Sequence, residues 1–246
     1  MEFAADTFGK LNAEDYDALN DPGTTNESTA FLAELYGSGS RVLELAIGSG
    51  RMALPLVQKG ISISGIEGSE AMVDLLRAKP GGRDIGIEVG DMAAADGYQI
   101  DGPFDHAFLV FNTLFNLTTQ AAQVQCFRNV AAKLNPGGTF LIETFVPDLS
   151  SFKNFQHLTT KRLDMGFVWL EAAVHDPLAQ RLDMQRVRIL PDGVKLVPLQ
   201  MRYAFPPEID LMAQLAGFNL ASRWGGWNRE PFDRDSKMHV SLYRLR

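Results

Sequence analysis

Three acidic residues and two glycines carry the first sign of chemistry in this chain. Glu44 stands inside the short apolar run 41–45, Glu67 ends the alternating run 61–67, and Asp91 follows the run 85–89. Short apolar or alternating runs bounded by glycine and polar residues read as strands. A carboxylate buried in such a strand is costly unless it meets a cation or hydrogen-bond donors. Between the first two acids lie Gly48 and Gly50, and a helical pattern (Met52, Ala53, Leu56, Val57) begins at once. Glycine at a strand-to-helix turn permits positive φ and lets a ligand approach bare backbone. Gly48-x-Gly50-x-x-Ala53, with Glu67 at the distance of a ribose-binding acid, also satisfies the dinucleotide fingerprint. An NAD(P)-dependent oxidoreductase is therefore one reading, although no Tyr-x-x-x-Lys pair for hydride chemistry is evident.

The elements that would position these groups follow a regular rhythm. Strands at 41–45, 61–67, 85–89, 104–111 and 139–145 alternate with helical stretches, which is the pattern of a parallel sheet covered on both faces. Ser69 is placed to cap the helix carried by Met72, Val73, Leu75 and Leu76, and Thr25 or Asn26 to cap an earlier one. Asn20-Asp21-Pro22-Gly23 and Asn135-Pro136-Gly137-Gly138 read as turns. Beyond Pro147 the rhythm changes. Extended runs at 161–175, 181–190 and 194–205, joined by Asp176-Pro177 and Asp192-Gly193, predict a three-stranded antiparallel meander. Pro206-Pro207 opens a helix, and strands at 218–224 and 238–245 close the chain. The expected architecture is α/β: a doubly wound, Rossmann-like seven-stranded sheet formed by 1–148 and 206–246, with 149–205 inserted as an antiparallel β lid over the substrate.

The layout resembles the class I S-adenosylmethionine-dependent methyltransferases, most clearly from Val42 to Phe145. That family's E/D-x-G-x-G-x-G motif is met by Glu44-Leu45-Ala46-Ile47-Gly48-Ser49-Gly50, with Ala46 in place of the first glycine. A methyl is tolerated there provided φ stays negative. Gly90-Asp91-Met92 and Leu134-Asn135-Pro136-Gly137-Gly138 extend the match. The resemblance implies that Glu67, with Gly68 beside it, binds the ribose hydroxyls. It also implies Asp91 on the adenine amino group, Met92 beside the ring, and Phe111-Asn112 next to the methionine arm. Amides near Arg51, at the start of the helix, are left for the cofactor carboxylate, and Tyr16 is a candidate to close over the ligand. Acids at 44, 67 and 91, without a P-loop lysine, suit a cofactor with a sulfonium cation and no phosphate. A protein that keeps the cofactor fold without turnover is the other alternative.

A sulfonium methyl is already a strong electrophile, so catalysis is mainly alignment; a hydroxyl acceptor would also need a base. Glu143, near the end of the fifth strand, His175 in the meander and His239 in the last strand are the candidates, and His106 reads as structural. Phe152, Phe155, Phe167, Trp169, Tyr203, Trp224 and Trp227 crowd the second half and could wall a small-molecule pocket. The Asn/Asp-Pro-Pro-Tyr motif of nucleic-acid N-methyltransferases is replaced by Phe111-Asn112-Thr113-Leu114. With a net charge of −7 over 246 residues, this points away from nucleic acid and toward a small organic acceptor, methylated on nitrogen or oxygen. The arrangement resembles small-molecule methyltransferases that cap the site with a β meander, among them amino-sugar N-methyltransferases of natural-product pathways. Cys126 is the only cysteine, so neither a disulfide nor a cysteine zinc cluster is expected, and no metal is called for. The start, MEFAADTFGK, lacks a signal-peptide core, and no apolar run reaches membrane length. A cytoplasmic monomer or homodimer, away from membranes, is the expectation.

Overall fold

The central strands of the sheet bury both faces, and their side chains divide between two apolar clusters with period two. In the computed structural model, which describes residues 7–12, 16–19 and 22–246, β1 (Arg41–Leu45) sends Val42 to one cluster and Leu43 to the other. In β4 (Phe104–Leu109) Phe108 opposes Ala107 and Leu109. In β5 (Leu134–Phe145) Leu141 opposes Phe140 and Ile142. With β2 (Ser62–Glu67), β3 (Gly86–Val89), β10 (Phe218–Trp224) and β11 (Met238–Leu245), they form one sheet in the order β10-β11-β5-β4-β1-β2-β3. The first five strands in sequence run parallel, and β11 is the antiparallel strand, inserted between β5 and the edge strand β10 and antiparallel to both. Helices α4 (Ala53–Gln58), α5 (Glu70–Arg77) and α6 (Gln120–Lys133) supply the crossovers. The α/β seven-stranded reading therefore stands.

Several local expectations need correction. Asn135–Gly138 is not a free turn: it lies within β5, where the register jumps from Phe104↔Leu134 to His106↔Thr139 and Gly137 takes φ 77°. The extra residues are absorbed as a bulge. Ser69 occupies the N-cap position of α5 but makes no capping bond. The Met72 and Val73 amides donate to the Ser69 carbonyl instead (3.1 and 3.2 Å), which leaves the hydroxyl without a partner. Thr24, rather than Thr25 or Asn26, precedes α3 (Thr25–Tyr36). Half of the Asn20–Gly23 turn, Asn20 and Asp21, lies outside the described residues.

The inserted sheet has four strands, not three: β6 (Gln156–Asp164), β7 (Phe167–Asp176), β8 (Arg181–Leu190) and β9 (Gly193–Arg202), in sequential antiparallel order. The run at 161–175 is a hairpin bent at Met165-Gly166. β9 carries Leu199 and Met201 into the same apolar cluster as Leu114 and Phe115, with Tyr203 just past its end. The insertion is thus packed onto the main core and not held apart from it. No helix among the described residues is long and apolar enough to cross a membrane.

Candidate active site

The glycine turn is built on left-handed backbone. Ala46, Gly48 and Gly50 take φ of 52°, 58° and 82°. The negative φ expected at Ala46 is therefore corrected. The turn is pinned from outside, by Ile47 N–H on Ile66 O (3.1 Å) and Gly48 N–H on Glu67 Oε2 (2.8 Å), so the alanine must accept the strain. Replacing Ala46 by glycine should relieve it and raise stability by about 0.5–1 kcal/mol, after the extra freedom of glycine in the unfolded chain is counted. Denaturant midpoints will check this, and a loss of stability would show instead that the methyl is packed. The two glycines differ in purpose. A Cβ on Gly48 would make only an ordinary 3.5 Å contact with Met72 Cε, whereas one on Gly50 would overlap Leu76 Cδ1. Gly50 lets α4 and α5 close up, and only Gly48 borders the cavity described next.

A cavity of about 170 Å³ lies at the carboxyl edge of the sheet. Ala46, Gly48, Glu67, Gly68, Asp91, Met92 and Phe111 form its floor, bringing together seven of the residues singled out from sequence. Glu67 bridges the Gly48 and Ser69 amides, and burial raises its pKa against those hydrogen bonds. Asp91 is exposed, with Oδ1 accepting the Ala93 amide at 2.8 Å. Glu44 does not border the cavity. It is buried, its Oε2 lacks a hydrogen-bond partner, and burial drives its pKa well up despite the pull of Arg51. Arg51 also stands outside the cavity floor. It donates to Thr25 Oγ1 (3.1 Å) and covers the Phe111 ring at 5.1 Å from the centroid.

Two elements close the cavity from above. α2 (Tyr16–Leu19), which follows the short α1 (Thr7–Asn12), places Tyr16 in the wall. Asp17 anchors it, accepting from Ser49 Oγ at 2.5 Å and pairing with Lys79 Nζ at 2.6 Å, while Lys79 also donates to Ser49 O. From the four-stranded sheet come Arg186 of β8 and Leu199 and Met201 of β9. Thr113, Asn116 and Leu117, just after β4, complete the side between them. Arg186, Leu199 and Met201 were missed from sequence. Alternation along β8 and β9 was visible, but which face met the cavity was not.

None of the three candidate bases borders this cavity. Glu143 Oε2 accepts the Phe111 amide at 2.7 Å. Burial raises its pKa, with that amide, Arg51 and the Trp227 indole pulling it back. Asn112 is not at the cavity either: its Oδ1 accepts the Phe145 amide at 2.6 Å. Phe111 and Asn112 both take positive φ, 60° and 63°. Glu143 and Asn112 therefore act as braces that hold this strained exit and aim the Phe111 ring into the cavity. His175 is buried among Phe152, Phe155 and Tyr203, with Nε2 3.0 Å from the Tyr203 hydroxyl. His239 is fully buried, Nε2 on Thr144 Oγ1 (2.8 Å) and Nδ1 on Ser241 Oγ (2.7 Å). Both ring nitrogens are occupied, and burial pushes its pKa down to about 4. His106, too, is a packing residue, stacked on Tyr36 and bonded to Thr139 Oγ1.

The aromatic wall expected from the second half is elsewhere. Trp224 and Trp227 pack on Phe31, and Trp169 lies against Arg186 and Arg188. Among the described residues, the cavity's aromatics are Tyr16 and Phe111.

Comparison with known proteins places this geometry. Residues 42–138 match the model of the methyltransferase domain family. The chain is 36% identical to the structure of the CcbJ methyltransferase from Streptomyces caelestis, with 99% of each chain covered and a TM-score of 0.91. It is 25% identical, over 84% of each chain, to the cypemycin N-terminal methyltransferase of a Streptomyces species. The same fold recurs at 16% identity and a TM-score of 0.67 in SAM-bound CalS10, an amino pentose methyltransferase from Micromonospora echinaspora, covering 100% of this chain and 98% of that one. The lining agrees: among the described residues that border the cavity the carboxylates are Glu67 and Asp91 and there is no lysine, which suits a cationic cofactor without phosphate. The dinucleotide reading of the glycine turn is set aside, and the chain belongs to the S-adenosylmethionine-dependent methyltransferases.

Proposed function

We propose that the acceptor is a small organic molecule held between the sheet edge and the inserted four-stranded sheet, which serves as its lid. The observation that carries this is the shared cavity: Glu67, Asp91 and Phe111 of the main domain and Arg186, Leu199 and Met201 of the insertion line the same space of about 170 Å³. A lid of this kind excludes water and all but a compact acceptor or a chain end. The sugar-directed methyltransferases that share the fold give the reading further support.

When bound, S-adenosylmethionine supplies a methyl already activated by the sulfonium charge. The residues then have three tasks. Glu67 and Asp91 hold the nucleoside, with Met92 beside the adenine. Glu143 and Asn112 fix the backbone that aims Phe111. Tyr16, Arg186, Leu199 and Met201 cover the reacting groups and orient the acceptor. Among the described residues lining the cavity, the carboxylates are Glu67 and Asp91, both on the cofactor floor. Catalysis by alignment fits this set better than catalysis by a strong base.

A panel of amino sugars, phenols, carboxylic acids and short peptides, read by release of S-adenosylhomocysteine, tests the reading. Turnover is expected with at least one small compound. Preferential methylation of tRNA or folded protein in a parallel lysate assay would overturn it.

A further inference from the structure

Asn116 closes the 3-10 turn Thr113–Asn116, and its side chain stands in the cavity wall beside Leu117. Its Oδ1 is buried and accepts no hydrogen bond. A carbonyl oxygen left in that state costs about 1–3 kcal/mol, and Leu117, Leu199 and Met201, which line the same cavity, carry no side-chain donor. Asparagine χ2 is a broad torsion, so the amide can turn its oxygen onto a donor brought into the cavity. The other polar groups at this end have different characters. Thr113 Oγ1 already donates to Val110 O at 2.8 Å, and the Arg186 guanidinium can only donate.

We propose that Asn116 is the acceptor-binding residue and that the acceptor is a primary or secondary amine. The inference rests on the proposed function and narrows its acceptor class. One N–H of the amine is donated to Asn116 Oδ1, which fixes the nitrogen and leaves its lone pair directed at the methyl. That lone pair forms the new N–C bond as the S–C bond breaks, with its electron pair passing to sulfur. The product leaves as the protonated amine and loses its proton to solvent, so no base is needed. A hydroxyl fits this site poorly. Its one proton would be given to an amide oxygen that cannot remove it, and a nearby base would still be required.

Sinefungin tests this without the natural acceptor, because it carries a primary amine where the cofactor carries its transferable methyl. S-Adenosylhomocysteine lacks that group and serves as the control for folding and for the cofactor site. By calorimetry, the unmodified protein should bind sinefungin about 10-fold or more tighter than S-adenosylhomocysteine. Asn116→Leu should bring the two affinities within about 2-fold while leaving S-adenosylhomocysteine unchanged, and Asn116→Asp, which keeps an acceptor oxygen, should retain the preference. No preference in the unmodified protein, or one that survives in Asn116→Leu, overturns the inference and leaves the methyl-transfer reading intact. A protein that binds neither compound overturns both.

Discussion

Glu67→Ala is expected to lower the affinity for S-adenosylmethionine by about 100-fold, close to 3 kcal/mol. Two losses add in that figure. The carboxylate bridges Gly48 N at 2.8 Å and Ser69 N at 2.9 Å, so its removal unties the turn from the start of α5. Its remaining lone pairs, on the cavity floor, are those proposed to accept the ribose hydroxyls, and charge-assisted bonds in a buried site are the strong ones. Glu67→Gln keeps one acceptor and should lose about 10-fold. Asp91→Ala should lose less than Glu67→Ala, because Asp91 is exposed and the apolar contacts of the adenine would remain. Titration calorimetry with the cofactor and its demethylated product measures all three. Unchanged affinity in Glu67→Ala would move the cofactor away from this edge.

The sheet was legible because its central strands are buried on both faces and announce themselves as short apolar runs between glycines, as at Val42–Leu45 and Phe104–Leu109. The floor of the site was legible for a related reason: a parallel sheet brings the ends of successive strands to one edge, and Glu67 and Asp91 follow from that. What was hidden depends on contacts between distant segments. The φ of Ala46 is set by hydrogen bonds from its neighbours to β2, which no local pattern reports. Glu143 was correctly placed at a strand end, yet its carboxylate is turned to the Phe111 amide and away from the cavity. The hairpin at Met165-Gly166 was masked because alternation continues on both sides of the bend. For β8 and β9, period-two patterning could not say which face would meet the cavity, so Arg186, Leu199 and Met201 emerged only from the packing of one sheet on the other.

His239 is expected to make folding stability fall by about 3 kcal/mol as the pH drops from 6.5 to 4, and to do so independently of the cavity. Its ring is fully buried and held by Thr144 and Ser241. Burial, with the Arg223 charge adding to it, pushes the pKa from 6.5 to about 4. Above pH 6.5 the ring is neutral in both folded and unfolded chains, and its contribution is complete. Between 6.5 and 4 the unfolded chain takes up a proton that the folded one refuses, so stability declines with falling pH. Below about 4 both forms are protonated and the contribution is gone. Glu44, Glu67 and Glu143 work in the opposite sense. Their raised pKa values let the folded chain bind protons first, which favours folding as the solution becomes more acidic. The histidine is therefore isolated by difference, using urea unfolding of the unmodified protein and His239→Asn across that pH range. The gap between them should be widest at neutral pH and shrink by about 3 kcal/mol toward pH 4, with cofactor affinity at pH 7.5 unaltered. A gap that stays constant with pH would mean that the ring is not held neutral, and loss of cofactor binding alone would return His239 to the active site.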